Sequence, residues 1–324
     1  MDEAGNQTSS PVEAKPPEAP RKIAVIGEIP FAGAALTGAL LAGGLSVRVL
    51  CPDERSEAAV RGLPGAHGAT LETVRGSLDS VVVIAEVLAG SYGACFLSPI
   101  TMQGRAYRAE THLQDVRRFL DGAEHAAIRK IVYHSALGAH PRAGARAVRE
   151  AAEAEELVHG SRCEDFRVRT GPLMGCGDGF LTEIIGRMKN SAPVMGVMGY
   201  GSTLLQPLHA GDMARCVARM FKDGDDELRP GVYCLAGPET TTLLDLSDMA
   251  AEALGVMKLK LHVPLFILKL VATLRRGQRL EEEINLLFEA FCTDQNDAPK
   301  LLNAGEKLVT TKQAQHEILA ATTA

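Results

Sequence analysis

The stretch from Ile23 to Leu50 constrains the fold more than any other part of the chain. It begins with an apolar, β-branched run that ends at Gly27, and a short loop follows as far as Gly33. A segment rich in Ala and Leu then continues to about Gly43, and a second β-branched run starts directly afterwards. This order predicts a strand, a tight turn, a helix and a second strand, which together begin an α/β fold.

The loop of this unit has the outline of a phosphate-binding turn. Gly27 and Gly33 occupy the first and third positions of a G-x-x-G-x-x-G pattern, whose glycines let the backbone approach a pyrophosphate at the helix N-terminus. The middle position is Pro30, which has a fixed φ and no N–H to donate to a phosphate. Two interpretations stay open. Either the glycines serve only tight strand–helix packing, or a dinucleotide site remains at Gly27, Ile29, Phe31, Ala32 and Gly33.

The alternation of apolar strands and helices continues well beyond this unit. The predicted strands and helices lie, in chain order, near residues 69–76, 79–88, 94–99, 106–125, 130–137, 142–159 and 165–171. Crossovers of this length predict a doubly wound parallel sheet in a Rossmann-type domain over residues 22–171. A smaller, mostly helical lobe over residues 172–305 is expected to share strand 231–236 with that sheet. Residues 306–324 are expected to form a C-terminal helix and tail.

Composition excludes some classes of function. The 324 residues carry a net charge of −6 with no Lys/Arg block, which argues against a nucleic-acid-binding protein. The seven cysteines form no C-x-x-C pair and the histidines do not cluster, so we expect reduced, buried thiols and no metal site. Residues 1–21 are rich in Pro, Glu, Ala and Ser. We expect them to be disordered, and they resemble neither a secretory signal nor an ordinary transit peptide.

The second half of the chain contains two further features. Asp212 is predicted to be the N-cap of an amphipathic helix that continues to Phe221. Residues 259–276 form the most apolar segment, which is too short to span a bilayer and is expected to be a buried helix. The alternative is a helix that docks on a membrane surface or a protein partner, with a polar margin of Lys269, Arg275 and Arg276. His134 and His209 are expected to have structural roles.

Four stretches, taken together, resemble the atypical short-chain dehydrogenase/reductase superfamily. They are GEIPFAG, VYHSALGAHP, AEAEELV, and LLQPLHAGDMARCVA followed by YCLAGPETTTLLDL, and the similarity runs from about Lys22 to nearly the end of the chain. Their order and spacing look most like NmrA-like and epimerase-like bacterial proteins and the NADPH-carrying accessory subunit of mitochondrial complex I. The resemblance implies a Rossmann fold whose cofactor is NADP(H) or NAD(H).

The resemblance also implies a Tyr-x-x-x-Lys pair after the fifth strand, in which the tyrosine transfers a proton and the lysine lowers its pKa. An alignment without gaps places Glu155 on the family's glutamate, Ala151 on its lysine and Ala147 on its tyrosine. Both working side chains are therefore replaced by methyl groups. Ser135 stands in the place of the family's catalytic Ser/Thr, but a lone hydroxyl without an adjacent base favours local hydrogen bonding.

Other cofactor-binding positions of the family are also altered. After the second strand, where an acidic residue would bind the ribose, only Asp53 is available. After the third strand, the usual Gly-Asp-Leu is Gly76-Ser77-Leu78. If a dinucleotide binds, the contacts outside the glycine loop are predicted at Asp53, Ser77, Leu78, Ser98 and Ser135.

The chain keeps the residues that form the fold but has lost the family's catalytic and cofactor-binding residues. This combination leads to one leading hypothesis and two alternatives. The leading hypothesis is a catalytically degenerate protein that serves as an accessory subunit among other protein subunits. By resemblance, the assembly is respiratory complex I, on the matrix side of the mitochondrial inner membrane. The alternative location is the cytoplasm. The first alternative function is an NAD(P)H-dependent reductase or epimerase with noncanonical acid/base groups. The second is a redox sensor that binds NADP(H) without turnover.

Overall fold

A parallel β-sheet forms the centre of the computed structural model, which describes residues 21–66, 70–98, 112–177, 180–190, 194–222, 228–274, 282, 284–286 and 288–323. The strands are β1 (Lys22–Gly27), β2 (Ser46–Cys51), β3 (Leu71–Arg75), β4 (Gly93–Leu97), β5 (Lys130–Ala136), β6 (Glu164–Thr170), β7 (Leu173–Met174), β8 (Val194–Met198), β9 (Leu204–Leu205), β10 (Leu208–His209), β11 (Gly231–Leu235), β12 (Thr241–Thr242) and β13 (Leu259–Val263). Seven of them form the central sheet in the order β11-β6-β5-β4-β1-β2-β3. Each neighbouring pair in this sheet is parallel.

Helices cover both faces of this sheet. They are α1 (Ala34–Ala42), α2 (Glu54–Arg61), α3 (Val81–Leu88), α4 (His112–His125), α5 (Arg146–His159), α6 (Leu181–Asn190), α7 (Ala210–Met220), α8 (Leu243–Ala253), α9 (Leu265–Leu274), α10 (Ala298–Leu301) and α11 (Thr311–Thr323). Ile23 and Val25 of β1 lie in one core with α1 and α7, whereas Ala24 and Ile26 lie in another with α3, α4 and α5. Successive strand residues face opposite sides of a sheet, so this division confirms the predicted doubly wound Rossmann-type fold.

The opening strand–turn–helix–strand unit is formed as predicted, and its chemistry explains why. Gly27 has φ of +109°, and a Cβ atom there would lie 2.0 Å from the Leu97 carbonyl oxygen on β4. Only glycine fits both the backbone conformation and the close approach. Helix α2 then begins after Asp53, whose carboxylate accepts a hydrogen bond from the Ser56 N–H at 2.7 Å.

Some predicted boundaries differ from the structure. Helix α5, expected from Arg142, begins at Arg146. Asp212 is not an N-cap: α7 begins at Ala210 and His209 caps it, with the His209 ring accepting the Gly211 N–H. Asp212 lies in the first turn, where its fully buried carboxylate accepts the Val309 N–H at 2.7 Å. The tertiary contact with the segment before α11 therefore explains this aspartate better than helix capping does.

The prediction of a buried helix over residues 259–276 is wrong. Pro264 divides the segment into strand β13, which pairs in parallel with β8, and helix α9. Phe266, Leu270 and Leu274 on this helix are all exposed. Among the helices in the described ranges, none combines the length and apolar character needed to cross a bilayer. Some predictions concern parts of the chain that lie outside the described residues. These are the tail over residues 1–20, residues 106–111 of the fourth helix, and the side chains of Lys269, Arg275 and Arg276.

Candidate functional site

The predicted site residues come together at one edge of the central sheet. Because its strands are parallel, the segments that follow β1 to β5 all emerge at the carboxyl edge, where α/β folds bind ligands. Gly27 ends β1, and Asp53, Ser77, Ser98 and Ser135 follow or end the neighbouring strands. The sequence therefore locates this edge correctly, but the hydrogen bonds of these side chains determine what the site can do.

The loop after β1 is filled by its own chain. Residues Ile29–Gly33 form a π-helical turn, and the Glu28 carboxylate accepts a hydrogen bond from the Ala32 N–H at 2.8 Å. The side chains of Ile29, Phe31 and Ala32 are buried, so they pack inside the protein instead of facing a groove. In a dinucleotide-binding loop, N–H groups at this helix start would donate to a pyrophosphate. Here the Glu28 carboxylate already accepts a hydrogen bond from one of these N–H groups, that of Ala32.

Asp53 and Ser77 are both engaged in local structure. Besides capping α2, Asp53 accepts a second hydrogen bond from the Ser56 hydroxyl at 2.6 Å. The Ser77 hydroxyl is exposed and lies 3.1 Å from an Asp79 carboxylate oxygen. Leu78, which follows, packs against the core on the α3 and α4 face. The Asp53 contacts cap α2, and the Ser77 contact belongs to the loop before α3, so none of them requires a nucleotide.

Ser98, after β4, belongs to a buried network that holds two neutral histidines. The Ser98 carbonyl accepts from His134 Nδ1 at 3.2 Å, and His134 Nε2 lies 2.8 Å from the Thr170 hydroxyl. His112 Nε2 lies 3.0 Å from the Tyr133 hydroxyl. Burial lowers the pKa of both histidines to about 4, since the charged ring would lose its hydration. Both rings are therefore neutral at pH 7, as expected of histidines with structural roles.

Ser135 lies in a second buried network. Its hydroxyl donates to Glu155 at 2.5 Å, and Arg169 binds the same carboxylate through Nε at 2.8 Å and Nη2 at 2.6 Å. The two-point contact with Glu155 raises the pKa of Arg169, which holds the guanidinium charged. The prediction of a local hydrogen bond for Ser135 is therefore wrong, because its partner lies 20 positions later on α5. The same Glu155 carboxylate also pairs with Arg169, and this Glu155–Arg169 pair joins α5 to β6.

The two positions aligned with the family's catalytic Tyr and Lys are closed. Ala147 and Ala151 have no exposed surface, and both belong to an apolar core in which β5 and α5 pack against later parts of the chain. That core also contains Met174, Phe180 and Ile184. A tyrosine or lysine at these positions would have to enter a packed interior instead of projecting into a substrate pocket.

Two further carboxylates seal the start of α5. Glu282 accepts the N–H groups of Arg146 at 3.1 Å and Ala147 at 2.7 Å, and Glu289 accepts the N–H of Ala145 at 2.7 Å. A helix N-terminus attracts negative charge, so both contacts are electrostatically favourable. Sequence reasoning missed these two residues because they lie about 140 positions away. It also missed Glu28, although an acid directly after Gly27 was a signal available in the sequence.

These observations test whether a dinucleotide fits. The Glu28 carboxylate stands at the helix start that would receive the pyrophosphate, and the acid/base face of α5 is buried, so the described residues do not fit the cofactor as they stand. Within the described ranges, no group of three or more His, Cys, Asp or Glu side chains could hold a metal ion. A surface cavity of about 530 Å³ lies beside β2 and β3, lined by residues such as Arg48, Arg61 and Glu72, and contains none of the predicted site residues.

Comparisons with known proteins support the fold. No family model matches the sequence, and no curated protein matches it at a significant level. A NADPH-dependent quinone oxidoreductase from Escherichia coli, solved with NADPH, is similar with a TM-score of 0.70 at 15% identity, over 92% of this chain and 99% of that one. A UDP-glucose 4-epimerase from Bifidobacterium longum, solved with NAD+ and UDP, has a TM-score of 0.70 at 14% identity, over 93% and 98% of the two chains.

A third solved structure extends the same result. The triphenylmethane reductase from Citrobacter sp., solved with NADP(H), is similar with a TM-score of 0.68 at 12% identity, over 91% of this chain and 99% of that one. Nearly the whole length of each protein takes part in these superpositions. At such low identities the likeness shows that the chain has the Rossmann fold of reductases and epimerases that bind nicotinamide cofactors.

Proposed function

We propose that this chain is a catalytically silent relative of the short-chain dehydrogenases/reductases that serves as an accessory subunit of a larger assembly. The observation that carries the proposal is the complete burial of Ala147 and Ala151, where the resemblance expects the catalytic Tyr and Lys. Loss of one positioned acid/base group alone removes about 10²–10⁴-fold of rate. The buried alanines leave no acid/base group at the two positions where the resemblance expects them.

The cofactor side of the pocket supports the same proposal. For a pyrophosphate to bind, Glu28 has to give up its hydrogen bond to the Ala32 N–H, and its negative charge lies at the same helix start as the incoming phosphates. Pro30, in the same turn, offers no N–H in exchange. We therefore expect weak binding or none of NADPH and NADH. Complex I is the assembly that the sequence resemblance favours.

Calorimetric titration of the purified chain with NADPH and NADH tests the cofactor part of the proposal. We expect no micromolar binding to the wild type, and tighter binding to Glu28→Gly/Pro30→Gly because it removes the competing carboxylate and restores an N–H. The matched control is Pro52→Gly/Glu54→Ala, which makes the same kind of change after β2. Turnover by the wild type with any carbonyl or sugar nucleotide would overturn the proposal, and tight binding without turnover would favour a redox sensor.

Native extraction followed by co-purification tests the accessory part. We expect the chain to elute with a larger assembly, and a chain found only as a free monomer or homodimer would refute it.

A second candidate function, an NAD(P)H-dependent reductase or epimerase, is favoured by the named activities of the similar solved structures. It requires acid/base groups other than those at positions 147 and 151, and the turnover assay separates it from the silent protein.

A further inference from the structure

An exposed apolar surface lies within residues 257–274. It is formed by consecutive parts of the chain: the residues just before β13, the strand itself and helix α9. We call it the β13–α9 surface, and its exposed apolar residues are Met257, Leu259, Leu261, Phe266, Ile267, Leu270 and Leu274. Apolar residues are normal singly on a protein surface, but seven within 18 residues mark an interaction site.

The spacing of these residues places them on one side of each element. Phe266, Leu270 and Leu274 follow one another at intervals of four along α9, so they form a stripe, and they expose 69%, 56% and 74% of their surface. On β13, Leu259 and Leu261 share one face because strand residues alternate. The stripe on α9 and the face of β13 therefore both expose apolar side chains to water.

Positive charge accompanies this apolar surface. Residues 255–280 contain six Lys and Arg residues and no Asp or Glu, although the whole chain carries a net charge of −6. Lys260 lies on the face of β13 opposite Leu259 and Leu261, and pairs with Asp248 on α8. The remaining basic residues of the segment are Lys258, Lys269, Arg275, Arg276 and Arg279. A segment that combines exposed apolar side chains with a net positive charge in its sequence has the composition of a segment that lies in the interface of an anionic bilayer.

The same charges argue against a second copy of this chain as the occupant. A symmetric dimer through the β13–α9 surface would place two such basic segments against each other, and like charges opposed across an interface oppose association. An anionic lipid surface complements both properties, since the acyl region takes Phe and Leu while headgroups attract the cations. Lysine side chains can also keep their charge at the headgroups while their stems cover apolar surface.

We propose that the β13–α9 surface attaches this protein to membranes that contain anionic phospholipid, with α9 lying in the plane of the interface. This goes beyond the proposed function, because lipid attachment does not depend on whether the cofactor pocket is closed. The attachment is peripheral and reversible, and increases with both the apolar area inserted and the negative charge of the bilayer.

Vesicle sedimentation of the full-length protein tests the proposal. We expect binding to mixed phosphatidylcholine–phosphatidylglycerol vesicles, weaker binding to phosphatidylcholine alone, and release at high salt. Phe266→Ser/Leu270→Ser should weaken binding to the anionic vesicles at least ~10-fold, because two side chains lose their transfer into the apolar layer. The matched control is Val81→Ser/Val82→Ser, which changes two exposed apolar residues on α3 and should leave binding unchanged.

Three results would overturn the proposal. The first is absence of binding to the anionic vesicles, and the second is binding that the α9 variant and the α3 control weaken equally. The third identifies another occupant: sedimentation equilibrium in which the wild type dimerises, Phe266→Ser/Leu270→Ser is monomeric, and neither binds vesicles. Both variants change exposed side chains, and an unaltered thermal unfolding midpoint verifies that each is folded. Because the readout is lipid binding, failure here leaves the nucleotide and turnover tests of the proposed function unaffected.

Discussion

Replacing Ala147 by tyrosine should destabilise this protein, although the same residue is the catalytic group of the enzymes it resembles. In an enzyme, that tyrosine projects into a pocket that substrate and cofactor fill. Here Ala147 has no exposed surface and shares a packed apolar core with Met174 and Phe180. The substitution therefore measures whether the pocket exists.

The expected magnitude has two parts. Forcing extra atoms into a packed core costs about 1–3 kcal/mol, and a buried hydroxyl without a partner costs about 1–3 kcal/mol more. The free energy of unfolding should therefore fall by about 2–6 kcal/mol, which for a chain of 324 residues lowers the unfolding midpoint by about 3–9 °C. Urea unfolding followed by circular dichroism gives the free energy, and a thermal scan gives the midpoint.

Glu156→Tyr provides the matched control on the same helix. Glu156 is exposed, so a tyrosine there should change stability by no more than about 0.5 kcal/mol. If Ala147→Tyr is as stable as this control, position 147 faces an open pocket and the reasoning fails. The argument fails more severely if Ala147→Tyr/Ala151→Lys oxidises NADPH with a carbonyl substrate, since restoring the pair should not give activity in a closed site.

Two predictions concern the buried networks. Arg169→Met should lower the free energy of unfolding by about 3 kcal/mol, because it leaves the Glu155 carboxylate buried without its arginine partner. The double variant Arg169→Met/Glu155→Gln should recover part of this loss. Equal urea midpoints for the two variants would contradict the prediction. His112 and His134 take up a proton near pH 6.5 when unfolded but only near pH 4 when folded, so stability should fall as pH drops through this window, by up to about 1.4 kcal/mol per pH unit for each histidine. His134→Gln should flatten this slope in urea titrations at a series of pH values. A slope equal to that of the wild type would refute the assignment.

The sequence predicts those parts of the fold that depend on local chemistry. The unit from β1 to β2 is correct because apolar runs, Gly27 and the Ala-rich helix specify it within 30 residues. The prediction of one helix from Leu259 is wrong because Pro264 does not fit a helix interior and ends the apolar run as a strand. The prediction of an N-cap at Asp212 is wrong because its contact with Val309 depends on a segment 97 positions later in the chain.

The candidate site shows the same division between local and distant causes. The alanines at positions 147 and 151 are readable from an alignment, so the loss of the acid/base pair is a sequence-level inference. The sequence does not predict the burial of the start of α5, because Glu282 and Glu289 contact it from a distant segment of the chain. Contacts of this kind depend on how the C-terminal lobe packs, and no local pattern encodes that packing.

Glu28, Glu282 and Glu289 each accept backbone N–H groups at a helix start, and a ligand bound there would have to displace them. Capping a helix start with an acidic side chain stabilises the folded protein by about 1 kcal/mol, and each such contact must break before a phosphate or substrate can take its place. Glu28 alone therefore weakens dinucleotide binding about 5-fold, before the repulsion between carboxylate and phosphate is counted. Glu282 and Glu289 act in the same sense at the start of α5. In the proposed silent protein, the contacts that exclude a ligand are therefore the same contacts that stabilise the fold.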